Sequence, residues 1–105
     1  MAVIDFDPSA IRAELRATGD DWVVVVELAR GGSWGHAEAS WRTYPVSAEE
    51  LSRELGVAAR SSVAAVVGYV EATLRRTGWR AERSGDPAAP PAVEVWTLSP
   101  ASDYR

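Results

Sequence analysis

The chain has 105 residues, with 11 Arg, 15 Asp and Glu, one His and no Cys, for a net charge of -4. That length fits one domain and excludes the large barrels and full dinucleotide-binding folds, which take roughly 200 residues or more. Lack of cysteine excludes disulfides, thiolate metal sites and a cysteine nucleophile, and a single histidine, His36, cannot build a zinc site alone.

Charge is uneven along the chain. Residues 1–50 hold nine acids and four arginines, and residues 51–105 hold six acids and seven arginines. An anion-binding surface is therefore expected in the second half, where Arg60, Arg75, Arg76, Arg80 and Arg83 cluster in sequence. The opening residues, Met1 to Asp7, carry no basic flank and no long apolar stretch, so no secretory signal is expected and a cytoplasmic location is the default.

In chain order, Asp7-Pro8 reads as a helix start, with Ala10, Ile11 and Leu15 as an apolar stripe and Gly19 as the stop, predicting a helix over 8–18. Residues 22–30 are ambiguous. Four consecutive valines favour a strand, whereas Trp22, Val25, Val26 and Ala29 also fall at helical spacing. A strand here would pair with residues 37–44 across the Gly31–Gly35 loop; the reading leans to helix because the downstream pattern favours one. Ser47 and Glu50 are spaced as a capping box, Leu51 and Leu55 face inward, and Gly56 ends the helix. Ser61 or Ser62 caps the next, where Val63, Val66, Val67, Val70 and Leu74 form an amphipathic stripe ending at Thr77-Gly78. Residues 79–83 and 92–98 alternate as strands, and the proline-rich stretch 84–91 reads as the loop between them. Residues 99–105 read as a tail, and nothing splits residues 1–105 into two domains.

Helix, turn, helix, strand, loop, strand over residues 46–98 resembles the winged helix-turn-helix family of bacterial, phage or plasmid regulators. The residues that carry it are Val46 to Val57, the Val63–Thr77 helix and Gly78-Trp-Arg-Ala-Glu-Arg83. The resemblance implies a mainly α fold with a C-terminal β-hairpin, in which residues 1–45 would form an N-terminal helical or hairpin extension. Ser52 would lie at the close helix crossing, and Val57 and Val63 would plug the core beneath the turn. The 61–77 helix would enter the major groove of duplex DNA as a homodimer. Its contacts would come from Arg60, Ser61, Ser62, Ala65, Tyr69, Arg80 and Arg83. Arg80 and Arg83 lie three apart on a strand, so only one of them can face a given ligand. The exposed helix face offers no Arg, Asn or Gln to read base edges. The alternative is a winged-helix protein-contact module, in which Trp34 and Trp41 form the patch and the acidic first half acts as a nucleic-acid mimic or inhibitor.

Gly31-Gly-Ser-Trp-Gly35 matches a nucleophile elbow, but the only histidine comes immediately after it and no acid partner is placed for it. Glu49 and Glu50 diverge on a helix and suit its N-terminus better than acid–base work. No catalytic set, metal or cofactor is expected. Trp22, Trp79 and Trp96 read as core.

Overall fold

The computed structural model describes residues 4–19, 21–29, 40–59, 62–85 and 89–101. Three strands come first: β1 (Ala10–Thr18), β2 (Asp21–Leu28) and β3 (Ser40–Val46). Helices α1 (Ala48–Leu55) and α2 (Val63–Thr77) come next, then β4 (Trp79–Arg83) and β5 (Ala92–Pro100). The strands form one antiparallel sheet in the order β3-β2-β1-β5-β4. This overturns the mainly α, winged-helix architecture. The two helices and the terminal hairpin exist locally. However, β5 is not a projecting wing strand: it lies between β4 and β1 inside a five-stranded sheet.

The expected helix over 8–18 is strand β1. Asp7 and Pro8 do start a local structure, but it is a turn. Asp7 Oδ1 accepts from Ser9 N at 2.9 Å and Ser9 Oγ at 2.6 Å, and Ala10 N donates to Asp7 O at 3.1 Å. Asx turns and N-caps use the same side-chain acceptor, so the two signals look alike in sequence. Beyond the turn the chain has period two: Ala13 and Leu15 are buried, and Arg12, Glu14 and Arg16 alternate with them. The leaning to helix for 22–30 is likewise corrected. Residues 21–28 form β2, with Trp22, Val24, Val26 and Leu28 facing the core and pairing with both β1 and β3. The valine run took the conformation of its β-branched propensity because neighbours on both sides supplied ladder partners.

One face of the sheet is covered. Leu51 of α1 and Val66, Val67, Val70 and Leu74 of α2 join Ala13, Leu15, Val24, Val26, Trp79, Trp96 and Leu98 in a single core cluster. Large and small side chains alternate across neighbouring strands, with Trp96 opposite Ala13 and Leu98 opposite Ala81. Both helices are capped as their sequences indicate. Ser47 Oγ accepts from Glu50 N at 3.1 Å, and Ser62 Oγ accepts from Ala65 N at 3.3 Å. Ser52 Oγ donates to the Ala48 carbonyl of its own helix at 2.9 Å. Val57 and Val63 do not plug the core; they are 69% and 47% exposed at the turn between the helices.

Residues 4–9 close one end of this core. Ile4 is buried, Trp79 Nε1 donates to Asp7 O at 3.1 Å, and Arg42 of β3 pairs with Asp7 at 3.5 Å. Phe6 packs on Trp79 with ring centroids 5.4 Å apart. The same Phe6 ring limits Gly78, which ends α2 at φ +128°; a Cβ there would meet Phe6 Cδ1 at 3.1 Å. Gly78→Ala is therefore expected to cost about 1–3 kcal/mol, measured by urea unfolding. Gly19→Ala, at φ +64° with nothing within 4 Å, is the control and is expected to cost less. Equal losses at the two sites would show that Phe6 moves aside freely.

Candidate protein-contact surface

The face of the sheet opposite the helices carries no helix among the described residues. Period-two alternation sends onto it Trp41 and Thr43 of β3, Val23, Val25 and Glu27 of β2, Arg12, Glu14 and Arg16 of β1, Val95 and Thr97 of β5, and Arg80 and Glu82 of β4. One cross-strand row runs over all five strands as Trp41, Glu27, Arg12, Thr97, Glu82.

Three arginines and three glutamates stand on this face, and most are already paired. Arg12 bonds Glu14 and Glu27, each at 3.2 Å, and Arg16 reaches Glu14 at 2.8 Å. The Arg12 guanidinium also lies over the Trp41 ring, 5.7 Å from its centroid. Trp41 remains 43% exposed there. A large aromatic held in place by a cation, on a face whose charges cancel, presents apolar area with little order left to lose.

Of the residues expected to contact DNA, Ser62, Ala65, Tyr69, Arg80 and Arg83 are described. Arg60 and Ser61 lie outside the described residues, as do Trp34, His36 and the Gly31–Gly35 loop. Ser62 spends its hydroxyl on the helix cap and Ala65 sits beside it in the first turn. Tyr69 is turned inward, its hydroxyl donating to the buried Glu50 of α1 at 3.0 Å. Burial raises the Tyr69 pKa. Arg83 faces α2 and bonds Glu71 at 2.7 Å, while Arg80, between buried Trp79 and Ala81, points to the opposite face. Arg75 reaches both Glu71 at 3.3 Å and the Ala81 carbonyl at 3.2 Å. Ser62, Ala65, Tyr69, Arg80 and Arg83 therefore make no common surface.

Glu71 is the hub that sequence reasoning missed. Besides the two arginines it accepts Trp96 Nε1 at 2.9 Å. The Arg83 hydrogen bond, and then the Trp96 one, hold its carboxyl below the ordinary glutamate range. One signal was present: a lone acid, Glu71, on the helix among five arginines in the surrounding sequence. Among the described residues no group of three or more His, Cys, Asp or Glu side chains gathers to hold a metal ion, and no helix is long and apolar enough to cross a membrane. Comparison with family models, curated proteins and solved structures finds no match to this chain.

Proposed function

We propose that this chain is a non-enzymatic protein-binding module that docks a partner on its helix-free sheet face. The single observation that carries the reading is Trp41, half-exposed and stacked by Arg12 on a face whose acids and bases neutralise one another. Such a surface suits another protein with an uncharged apolar patch, because no net charge is left to recruit a polyanion. The duplex-DNA reading has less support. Phosphate binding needs free cations on one side, and here Arg75 and Arg83 are engaged by Glu71 while Arg80 points to the opposite face from Arg83.

A reconstituted complex tests it. A protein captured by the wild type should, once purified, bind roughly tenfold more weakly to the Trp41→Ala and Thr97→Arg variants. Thr97 is exposed in the same row as Trp41 and far from either helix, so arginine there obstructs the face without disturbing the core. In parallel, anisotropy with duplex DNA is expected to show no steeply salt-dependent binding. Steep salt dependence that flattens on arginine substitution would overturn the proposal in favour of a DNA-binding regulator.

A further inference from the structure

Among the described residues, every buried apolar side chain belongs to a strand or a helix except Ile4, which is 2% exposed. Ile4 is carried by a segment without ladder partners: residues 4–7 are neither helix nor strand, and Pro8 and Ser9 make the turn into β1. The segment lies across the end of the core as a peptide lies in a cleft. Ile4 joins the core cluster, Asp5 is exposed, and the Phe6 ring rests on Trp79 and covers Gly78. Backbone and charge are recognised as well. The Asp7 carbonyl accepts from Trp79 Nε1 at 3.1 Å, and its carboxylate meets Arg42 at 3.5 Å. Trp79 stands on β4 and Arg42 on β3, the two outer strands of the sheet, so one short segment is held from both sides.

We infer that residues 4–9 are a releasable strap over a peptide-binding cleft formed at Trp79, Gly78 and Arg42. The strap is the built-in ligand of that cleft. In its place the cleft takes an extended peptide of the same chemistry: two apolar side chains separated by one residue and followed by a carboxylate, as in Ile4-Asp5-Phe6-Asp7. Release leaves the rest of the fold standing, because the five-stranded ladder and both helices make none of their backbone pairing through residues 4–7. The strap itself buries one side chain fully and leaves Phe6 43% exposed. Segments with so few buried contacts open at a lower free energy than the whole domain. Once the strap lifts, Trp79 presents an indole donor and a ring face, and Arg42 presents a cation. A main-chain carbonyl, an apolar side chain and a carboxylate on one extended segment satisfy all three.

The closed strap is an autoinhibitory contact. Tethered beside the cleft, it competes with any free peptide at an effective concentration in the millimolar range, typical of short linkers. The cleft lies on the helix side of the sheet, where Trp79 joins the core, whereas Trp41 stands on the opposite face. The inference is therefore independent of partner docking at Trp41.

Release is read by native-state hydrogen exchange at two indoles of the full chain. Trp79 and Trp96 are 1% and 0% exposed, and their Nε1–H groups donate to the strap and to Glu71 of α2 respectively. The Trp79 indole is expected to exchange at least roughly 100-fold faster than that of Trp96, since lifting the strap frees only the first. Equal rates would mean that the strap leaves only when the whole domain unfolds, and the inference would fall. Exchangeability is read by titrating the isotope-labelled full chain with an end-blocked synthetic peptide of residues 4–9. The wild type is expected to bind it weakly, at roughly millimolar concentration. The Phe6→Ala chain keeps the cleft and weakens its own strap, so it is expected to bind the peptide roughly tenfold more tightly. Asp7→Asn keeps the side-chain acceptor for Ser9 and loses the charge facing Arg42, and a smaller gain is expected. Arg42→Gln loosens the strap but also removes the carboxylate's partner, so no gain is expected. A Phe6→Ala chain with the affinity of the wild type, or an Arg42→Gln chain that gains as much as Phe6→Ala, would overturn the assignment of the cleft.

Discussion

Replacing Trp96 by alanine is expected to cost about 3–5 kcal/mol of folding stability, the largest effect of any single truncation in this chain. Trp96 is 0% exposed and lies on β5, with β1 on one side and β4 on the other. Its cross-strand neighbour on β1 is Ala13, which is too small to collapse into the space an indole leaves. The substitution also strips a donor from Glu71. Against the total of about 5–15 kcal/mol typical of a small domain, that loss brings the protein close to unfolding at ambient temperature. Denaturant unfolding monitored by far-UV circular dichroism measures it. Trp96→Phe separates the two contributions, because it keeps most of the packing and loses only the indole donor. A loss under about 1 kcal/mol for Trp96→Ala would mean that the core is not closed around this residue.

The second large effect belongs to Glu71. Truncation to alanine leaves the Trp96 indole donor buried without its acceptor and releases Arg75 and Arg83 together, for an expected cost of about 2–3 kcal/mol near neutral pH. Most of this is assigned to the indole, because Arg75 and Arg83 are 59% and 51% exposed and their ion pairs are weakened by solvent. The pH dependence has a definite sign. Hydrogen bonds from Arg83 and Trp96 lower the folded-state pKa of Glu71, so its contribution is complete above the unfolded glutamate pKa of about 4.3 and is lost as pH falls through the lower folded value. The stability gap between wild type and Glu71→Gln is therefore expected to be constant from neutral pH down to about 5 and to shrink at lower pH. Urea midpoints at a series of pH values read this directly. A gap that widens on acidification would contradict the assigned direction.

The second half of the chain was largely legible because its signals are local. Ser47, Ser62, Gly56 and Gly78 bound the two helices at the positions that capping chemistry indicates. The valine and leucine stripe of α2 is buried from Val66 to Leu74, and β4 keeps its alternation. Trp22, Trp79 and Trp96 are core, as their periodic settings implied. The first 45 residues misled for a definable reason. Asp7-Pro8 and the stripe through Leu15 satisfy helix and strand rules at once, while the alternation of Arg12, Ala13, Glu14, Leu15 and Arg16 is muted by a small residue on the buried side. A resemblance confined to residues 46–98 then weighted the ambiguous valine run toward helix.

The candidate surface was only partly visible. Trp41 stood out as an unplaced aromatic, but its cation, Arg12, is distant in sequence and joins it only through β2. The arginines that suggested a polyanion site were read from their spacing alone, and spacing carries no information about Glu71 sitting between them.

By itself the sequence determined the helix boundaries, the terminal hairpin and the aromatic core, because caps, prolines and hydrophobic periods act over a few residues. Tertiary structure alone decided that β5 lies beside β1, that no described helix covers one sheet face, and that Arg75 and Arg83 serve Glu71 and the sheet edge. A period of two selects which side chains share a face, but it does not select the neighbouring strand. That choice is made by the packing of all the faces together, since β1 can bury Ala13 and Leu15 only when β2 and β5 flank it and the helices close over them.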